Sequence, residues 1–246
     1  MIVAIIQARM GSKRLPGKVL KKVDDQPLLK YMVERVRKSL LIDKLVIATT
    51  TLKQDDIIIE FCNQFKVEHF RGNINDLVSR FFACATKYSA TTIVRLTSDC
   101  PLIDPIVIDE VITLFKKNCV DYASNTNPPK TNSYPAGTDV SVFRYKALSE
   151  INTTCTNPYD REHITFCFFY QDAGYKTIQL LNDKDYSMYR FTVDYSEDLE
   201  VVEYLLKEIK KKRCFGYVDE IISLIDSNEY IKTVNAKWVG LEKYWF

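Results

Sequence analysis

The sequence predicts an α/β fold of three layers, α/β/α, with a mostly parallel, mixed central sheet covered by helices on both faces. Three observations carry that expectation. The chain opens with a short β-branched apolar run, Ile2 to Ile6, without polar alternation, as in a strand buried on both sides. Strand-like and helix-like segments then alternate as far as Asn118, joined by the short connections of βαβ units. The 246 residues, 46% of them hydrophobic, suffice for one large domain with a sizeable core or for two small ones.

The elements follow in order. After MIVAII, the stretch PLLKYMVERVRKSLL places Leu28, Leu29, Met32, Val33, Val36 and Leu40 on one helical stripe, with Pro27 suited to the helix start. DKLVIATT reads as a second buried strand, DDIIIEFCNQF as a helix and KVEHFRG as a short third strand. NDLVSRFFACATKYS is a helix with Asn75 or Asp76 near its cap. TTIVRLTSDCPLID is a strand running into a loop, and PIVIDEVITLFKKN a helix with Asp104 as its N-cap. The second half is less regular. A polar loop, DYASNTNPPKTNSYPAGTD, follows a short strand; DVSVF is a strand and NPYDREHITFCFFYQD a helix. YKTIQLL and MYRFTVD read as strands. SEDLEVVEYLLKEIKKK reads as a helix capped by Ser196, with Glu197 and Asp198 suiting the helix dipole. YVDEIISLIDSN is a further helix and KWVGLEKYWF an aromatic tail. With no internal repeat or linker, the expectation is one domain over 1–246, with a core of about 1–212 and a helical extension at 213–246.

The formal net charge of +2 creates no general field for nucleic acid or membrane, so neither is expected as a partner and any basic site must be local. Seven cysteines, an odd number with no C-x-x-C pair, read as reduced core thiols of a cytoplasmic protein. The two histidines, His69 and His163, lie far apart, which argues against a zinc site. The opening apolar run is too short for a signal peptide and lacks preceding basic residues. No run approaches the ~18 apolar residues of a membrane span.

One stretch asks for a ligand. Arg9, Lys13, Arg14 and Lys18 crowd around Gly11, Pro16 and Gly17 directly after the first strand. Backbone N–H groups and cations in such a loop suit a polyphosphate. A Walker A loop is excluded twice over: five residues separate Gly11 from Gly17, and Val19 stands where Ser or Thr would hold magnesium. A solvated basic turn is the competing reading. Ligands of parallel sheets bind beyond the carboxyl ends of the strands, so the basic stretch and SDCPLID should share one cleft. Asp99 ends one strand and Asp194 ends another; carboxylates from separate strand ends can meet at one magnesium ion, although either can instead cap the turn or helix after it.

QARMGSKRLPGKVL resembles the nucleotide-binding loop of the CMP-sugar cytidylyltransferases, in particular the spore-coat polysaccharide biosynthesis protein F type, with the CMP-Kdo synthetases as near relatives. The resemblance continues in family order through FRGNINDLVSRF, RLTSDCPLIDP, YPAGTDVSVF, REHIT and FTVDYSEDLEVV. It implies a Rossmann-like, glycosyltransferase-A-like nucleotidyltransferase fold and a homodimer. The implied reaction is magnesium-dependent transfer of CMP from CTP to an acidic sugar or similar small acceptor, with release of pyrophosphate, in surface polysaccharide synthesis. The choice of CTP is inherited from the resemblance. It also implies roles. Ala8, Arg9, Gly11, Ser12, Lys13, Arg14, Lys18 and Thr97 would hold the nucleotide, with Arg9 and Lys18 stabilising transition-state charge. Arg71, Asp76 and Arg80 would contact base and ribose, with Arg71 preferred because Arg80 also reads as a solvent-exposed helix residue. Asp99 and Asp194 would bind the metal. Asp139, Arg161, Glu162 and His163 would face the acceptor, His163 as general base or hydroxyl partner, beside the loop Tyr134 to Thr138. Tyr195 departs from the commoner Thr. The C-terminal residues receive no chemistry, only packing or dimer contacts for Trp238 and Trp245. Another base, a non-sugar acceptor, or a non-catalytic scaffolding relative remain alternatives.

Overall fold

The opening apolar run forms β1, Ile2–Gln7, and sits inside a seven-stranded sheet. The computed structural model describes residues 1–169 and 174–240. β1 is followed by a two-stranded ribbon, β2 Lys22–Val23 and β3 Gln26–Pro27, and then by α1 Leu28–Val36, β4 Lys44–Thr50, α2 Asp56–Phe65, β5 Glu68–Gly72, α3 Leu77–Lys87, β6 Thr92–Thr97 and α4 Pro105–Asn118. The second half holds β7 Tyr122–Ser124, β8 Val140–Arg144, α5 Tyr145–Thr154, α6 Pro158–Glu162, β9 Thr177–Gln179, α7 Ser196–Lys212, α8 Val218–Asp226 and α9 Glu229–Val234.

The strand order is β5-β4-β1-β6-β8-β7-β9. β5, β4, β1 and β6 run parallel, β8 pairs antiparallel with both β6 and β7, and β9 lies parallel to β7. The sheet is therefore mixed and mostly parallel, with the three-layer architecture expected. Residues of β1 alternate between two cores. Ala4 and Ile6 pack with Met32, Ile58 and Ile108 from α1, α2 and α4, while Val3 and Ile5 pack with Phe81 and Leu148 from α3 and α5. This two-sided burial is the reason the strand reads as continuously apolar. A third cluster joins Leu28 and Leu102 to Phe191, Val193 and the apolar faces of α7, α8 and α9.

Several local expectations are corrected. α1 stops at Val36, so Leu40 falls beyond the stripe and is 89% exposed. NPYDREHITFCFFYQD is not one helix. The single turn of α6 ends at Glu162, and a 3-10 turn follows at Phe166–Phe168; the end of that stretch lies outside the described residues. The helix α5 was not foreseen. MYRFTVD is not a strand. Phe191 and Val193 are buried, but their N–H groups donate to Ala136 O and Asp99 O, carbonyls of two different loops, so no ladder propagates. The cap of α7 is Tyr195 rather than Ser196, because the Asp198 side chain reaches back to its N–H. Asp76 and Asp104 cap α3 and α4, accepting from Ser79 N and Ile106 N. Trp245 lies outside the described residues.

Candidate active site

The basic stretch spans from β1 to the ribbon and lies at the carboxyl end of the parallel strands. Its turn is held by backbone geometry. Gly17 takes φ 68, a left-handed value that glycine adopts without a Cβ clash, and its N–H donates to Met10 O at 3.1 Å. Asp55 Oδ1 accepts from Met10 N at 2.7 Å and Ser12 Oγ from Leu15 N at 3.3 Å. Above this loop opens a cavity of ≈ 490 Å³ lined by Ala8, Arg9, Ser12, Lys13 and Arg80 among others. A second cavity of ≈ 300 Å³ is more aromatic, with Phe166, Tyr189, Tyr195 and Trp238 in its walls beside Asp139. Six residues line both: Arg14, Arg95, Thr97, Asp99, His163 and Asp194. The two cavities are thus halves of one cleft.

The junction is a compact charge cluster. Lys18 Nζ donates to Asp99 Oδ2 at 3.0 Å, to Asp194 Oδ1 at 2.8 Å and to Val193 O at 2.7 Å. Arg14 Nη2 reaches Asp194 Oδ1 at 2.7 Å, and Arg190 Nη2 donates to Asp194 Oδ2 at 3.1 Å. Burial opposes the Lys18 charge, but Asp99 and Asp194 outweigh it and hold its pKa above the ordinary value. Burial likewise opposes the Asp99 carboxylate, yet Lys18 and Thr97 bring it down to about 2. Burial pushes Asp139 up, with the nearby Asp99 charge adding to it. Burial depresses His163, which is therefore neutral at pH 7 and able to accept a proton.

Two carboxylates that converge on one ammonium form a cation site by their chemistry. The oxygens are hard donors, and a magnesium ion asks for only one or two carboxylates when phosphate oxygens and water complete its shell. The donor set of Asp99 and Asp194 fits that ion.

Other expected residues separate into two groups. Arg80, which the sequence also reads as a solvent-exposed helix residue, is 5% exposed, and its Nε and Nη1 are buried without a hydrogen-bond partner while the residue lines the larger cavity. Burial and then Arg9 lower its pKa to about 10, so it stays charged at neutral pH. A buried guanidinium without a protein partner is an anion receptor in wait. Glu162 lines the same cavity, 3.9 Å from Arg9. Arg71 does not line the cleft. Its nitrogens donate to Thr50 O, Leu52 O and Asp56 Oδ1, tying the loop between β4 and α2. Asp76 and Arg161 are also absent from the lining. Asp76 Oδ2 accepts from Arg161 Nε at 2.9 Å and pairs with its Nη2 at 2.8 Å, and Arg161 also donates to Asn152 and Cys155. The pair fastens α6 to the start of α3. Gly11 lies outside the lining, where an added Cβ would stand 3.0 Å from Gln54 Nε2.

Sequence reasoning missed Arg95, Arg190 and Trp238. Arg95 lines both cavities and uses Nε on Gln7 Oε1 at 3.1 Å. An arginine inside the apolar run TIVRLT was the available signal. Arg190 inside MYRFTVD was a similar one. Nothing local marked Trp238, whose ring stacks on Tyr195 at 3.7 Å and 3°.

Comparison with known proteins identifies the family. Residues 3–221 match the family described as Cytidylyltransferase. The chain is 32% identical over 237 residues to the spore coat polysaccharide biosynthesis protein SpsF of Bacillus subtilis, covering 92% of this chain and 95% of that one. A solved cytidylyltransferase of Leptospira borgpetersenii has a TM-score of 0.86 and 33% identity, covering 94% of this chain and 95% of that one. The 3-deoxy-manno-octulosonate cytidylyltransferase of Geobacter sulfurreducens is 34% identical over 119 residues, 48% of this chain and 46% of that one.

Proposed function

The chain belongs to the cytidylyltransferase family, and on that premise we propose that it transfers CMP from CTP to an acidic sugar or similar small acceptor, with magnesium, releasing pyrophosphate. The observation that carries this reading is the single cleft with two unlike halves that meet at Lys18, Asp99 and Asp194. The cationic half suits a triphosphate. The half with Asp139 and aromatic walls suits a polyhydroxylated acceptor, whose hydroxyls ask for acceptors and whose C–H faces pack on rings.

An acceptor hydroxyl oxygen attacks the α-phosphorus. A new P–O bond forms, the α–β bridging P–O bond breaks, and pyrophosphate leaves with the electron pair. Arg9, Ser12, Lys13, Arg14 and Arg80 bind the triphosphate from the basic half. Lys18 faces the phosphate undergoing transfer and balances charge that moves to the leaving group. His163 lines both halves and, being neutral, takes the hydroxyl proton. Asp99 and Asp194 are the residues that would hold magnesium, which when bound supplies further charge neutralisation at the phosphates. Arg71, Asp76 and Arg161, which do not line the cleft, take no part in this reading. Seven free cysteines fit a reducing, cytoplasmic setting. Among the described residues no helix is long and apolar enough to cross a membrane. The homodimer belongs to the same proposal.

The test is thermal stability with each of the four ribonucleoside triphosphates, with and without magnesium. CTP with magnesium should give the largest shift; at about 100 times its dissociation constant a ligand adds roughly 2.7 kcal/mol. An equal shift with UTP or ATP would replace CTP as the donor, and no shift with any would remove the triphosphate reading.

A further inference from the structure

The family match ends at residue 221, yet the chain beyond it returns to the cleft. Asn235, directly after α9, is 4% exposed. Its Nδ2 donates to Arg190 O at 3.1 Å and to Asp198 Oδ1 at 2.9 Å. Asp198 is fully buried and receives Arg190 Nε at 2.9 Å and Arg190 Nη2 at 3.0 Å. Its Oδ2 also accepts from the backbone N–H groups of Asp194 at 2.9 Å and Tyr195 at 3.0 Å. Arg190 Nη2 then donates to Asp194 Oδ2. A chain of hydrogen bonds therefore runs from the C-terminal segment to the carboxylate that faces Asp99. Three residues past Asn235, Trp238 lies flat on Tyr195, the neighbour of Asp194, and the Tyr195 ring also carries the Arg14 guanidinium 5.0 Å from its centroid.

This matters because Asp194 stands on irregular backbone. No strand ladder holds it. Its place depends on the Asp198 and Arg190 groups, which are buried and keep their geometry only when fully paired. Asn235 supplies one of the bonds to Asp198 and the bond to the Arg190 carbonyl. Trp238 restricts Tyr195 from the outside.

We infer that Asn235 and Trp238 are positioning residues for Asp194, so that the C-terminal segment sets the geometry of the cation site. The inference rests on the reading of Asp99 and Asp194 as magnesium carboxylates. Neither residue touches the metal or the phosphates. Outer partners of metal ligands commonly change metal affinity by roughly 10–100-fold when removed.

The experiment titrates magnesium chloride into the full-length protein at fixed CTP and reads the melting temperature. Asn235→Ala and Trp238→Ala are expected to raise the magnesium concentration for half-maximal stabilisation by roughly 10-fold. Trp238→Phe, which keeps a stacking ring, should stay near the parent protein. Stabilisation by CTP in the presence of a chelator should be the same in all. Should an alanine variant fail to fold, Asn235→Ser, too short to span both acceptors, is expected to show the same rise. An unchanged magnesium midpoint in the Asn235 variants overturns the inference. So does an equal loss of CTP stabilisation in the chelator, which would mean general loosening of the cleft. If the parent protein shows no magnesium effect, the carboxylate reading fails first and the inference with it.

Discussion

Lys18 is the residue on which the cleft turns. Its ammonium is shared by two carboxylates, one from the loop after β6 and one from the loop before α7. Asp99→Asn or Asp194→Asn should lower magnesium-dependent turnover by roughly 10²-fold or more, read as pyrophosphate release, because each removes a carboxylate that would hold the magnesium ion at the phosphates. Lys18→Met makes a separate prediction about pH. The folded pKa of Asp99, about 2, lies below its ordinary value, so its contribution to stability is present above that ordinary value and is lost as pH falls towards about 2. Lys18 is raised, so its contribution is complete below its ordinary pKa and is lost only as pH rises past it. Without Lys18, burial is opposed only by the Thr97 and backbone hydrogen bonds, so the pKa of Asp99 moves up. Urea unfolding of Lys18→Met between about pH 5 and pH 2 should therefore show a smaller acid loss of stability than the parent protein. An identical acid limb would mean that the pair carries no linkage. Arg80 and Arg71 separate in the same way. Arg80→Leu should weaken CTP binding by at least about 10-fold, since a charged hydrogen bond is worth roughly 1.5–3 kcal/mol. Arg71→Leu should leave CTP binding unchanged and lower stability by about 1 kcal/mol. Calorimetric titration of both variants checks this.

At the scale of elements, the loop Tyr134 to Thr138 meets the segment around Phe191 so closely that a side chain is excluded. Gly137 has φ 116, and an added Cβ would lie 2.7 Å from Phe191 Cδ2 and 2.8 Å from Thr192 N. Gly137→Ala should cost about 2 kcal/mol, a fall in Tm of roughly 4–8 °C, and should disturb Asp139, whose Oδ2 accepts from Gly137 N at 3.0 Å. A variant with parental Tm would show that the backbone relaxes there. The regular elements were legible in advance where burial follows one period. β1, β4 and β6 read as strands because both their faces are covered, and α2, α3 and α4 because apolar residues recur on one stripe. α5 escaped notice because Tyr145, Lys146 and Ser149 dilute a stripe of only Ala147, Leu148 and Ile151. MYRFTVD misled because its alternating residues are buried like those of a strand while its hydrogen bonds go to separate loops.

For the whole molecule, the third apolar cluster ties α8 and α9 to α7 and to the segment carrying Phe191 and Val193. We propose that 1–246 unfolds as one unit, so a single calorimetric transition with matching van't Hoff enthalpy is expected. A separate low-temperature transition would detach the C-terminal helices from the core. Light scattering should give twice the chain mass of 28.6 kDa if the homodimer holds, and one chain mass would end that part of the proposal.

The amino-acid sequence by itself determined the mostly parallel sheet and the place of the basic loop at a strand end, because each is written in local periodicity or in a contiguous motif. It singled out Asp99 and Asp194 through motifs shared with the family rather than through the strand expected before Asp194, which does not form. Only the tertiary structure decided which arginines face the cleft. Arg71 is used up by carbonyls nearby, Arg161 by Asp76 from another element, and Arg80 is left without a partner beside the cavity. It alone brought Asn235 and Trp238 to the loop of Asp194. The physical reason is that a side chain's role depends on which polar groups compete for it, and those competitors come from parts of the chain distant in sequence.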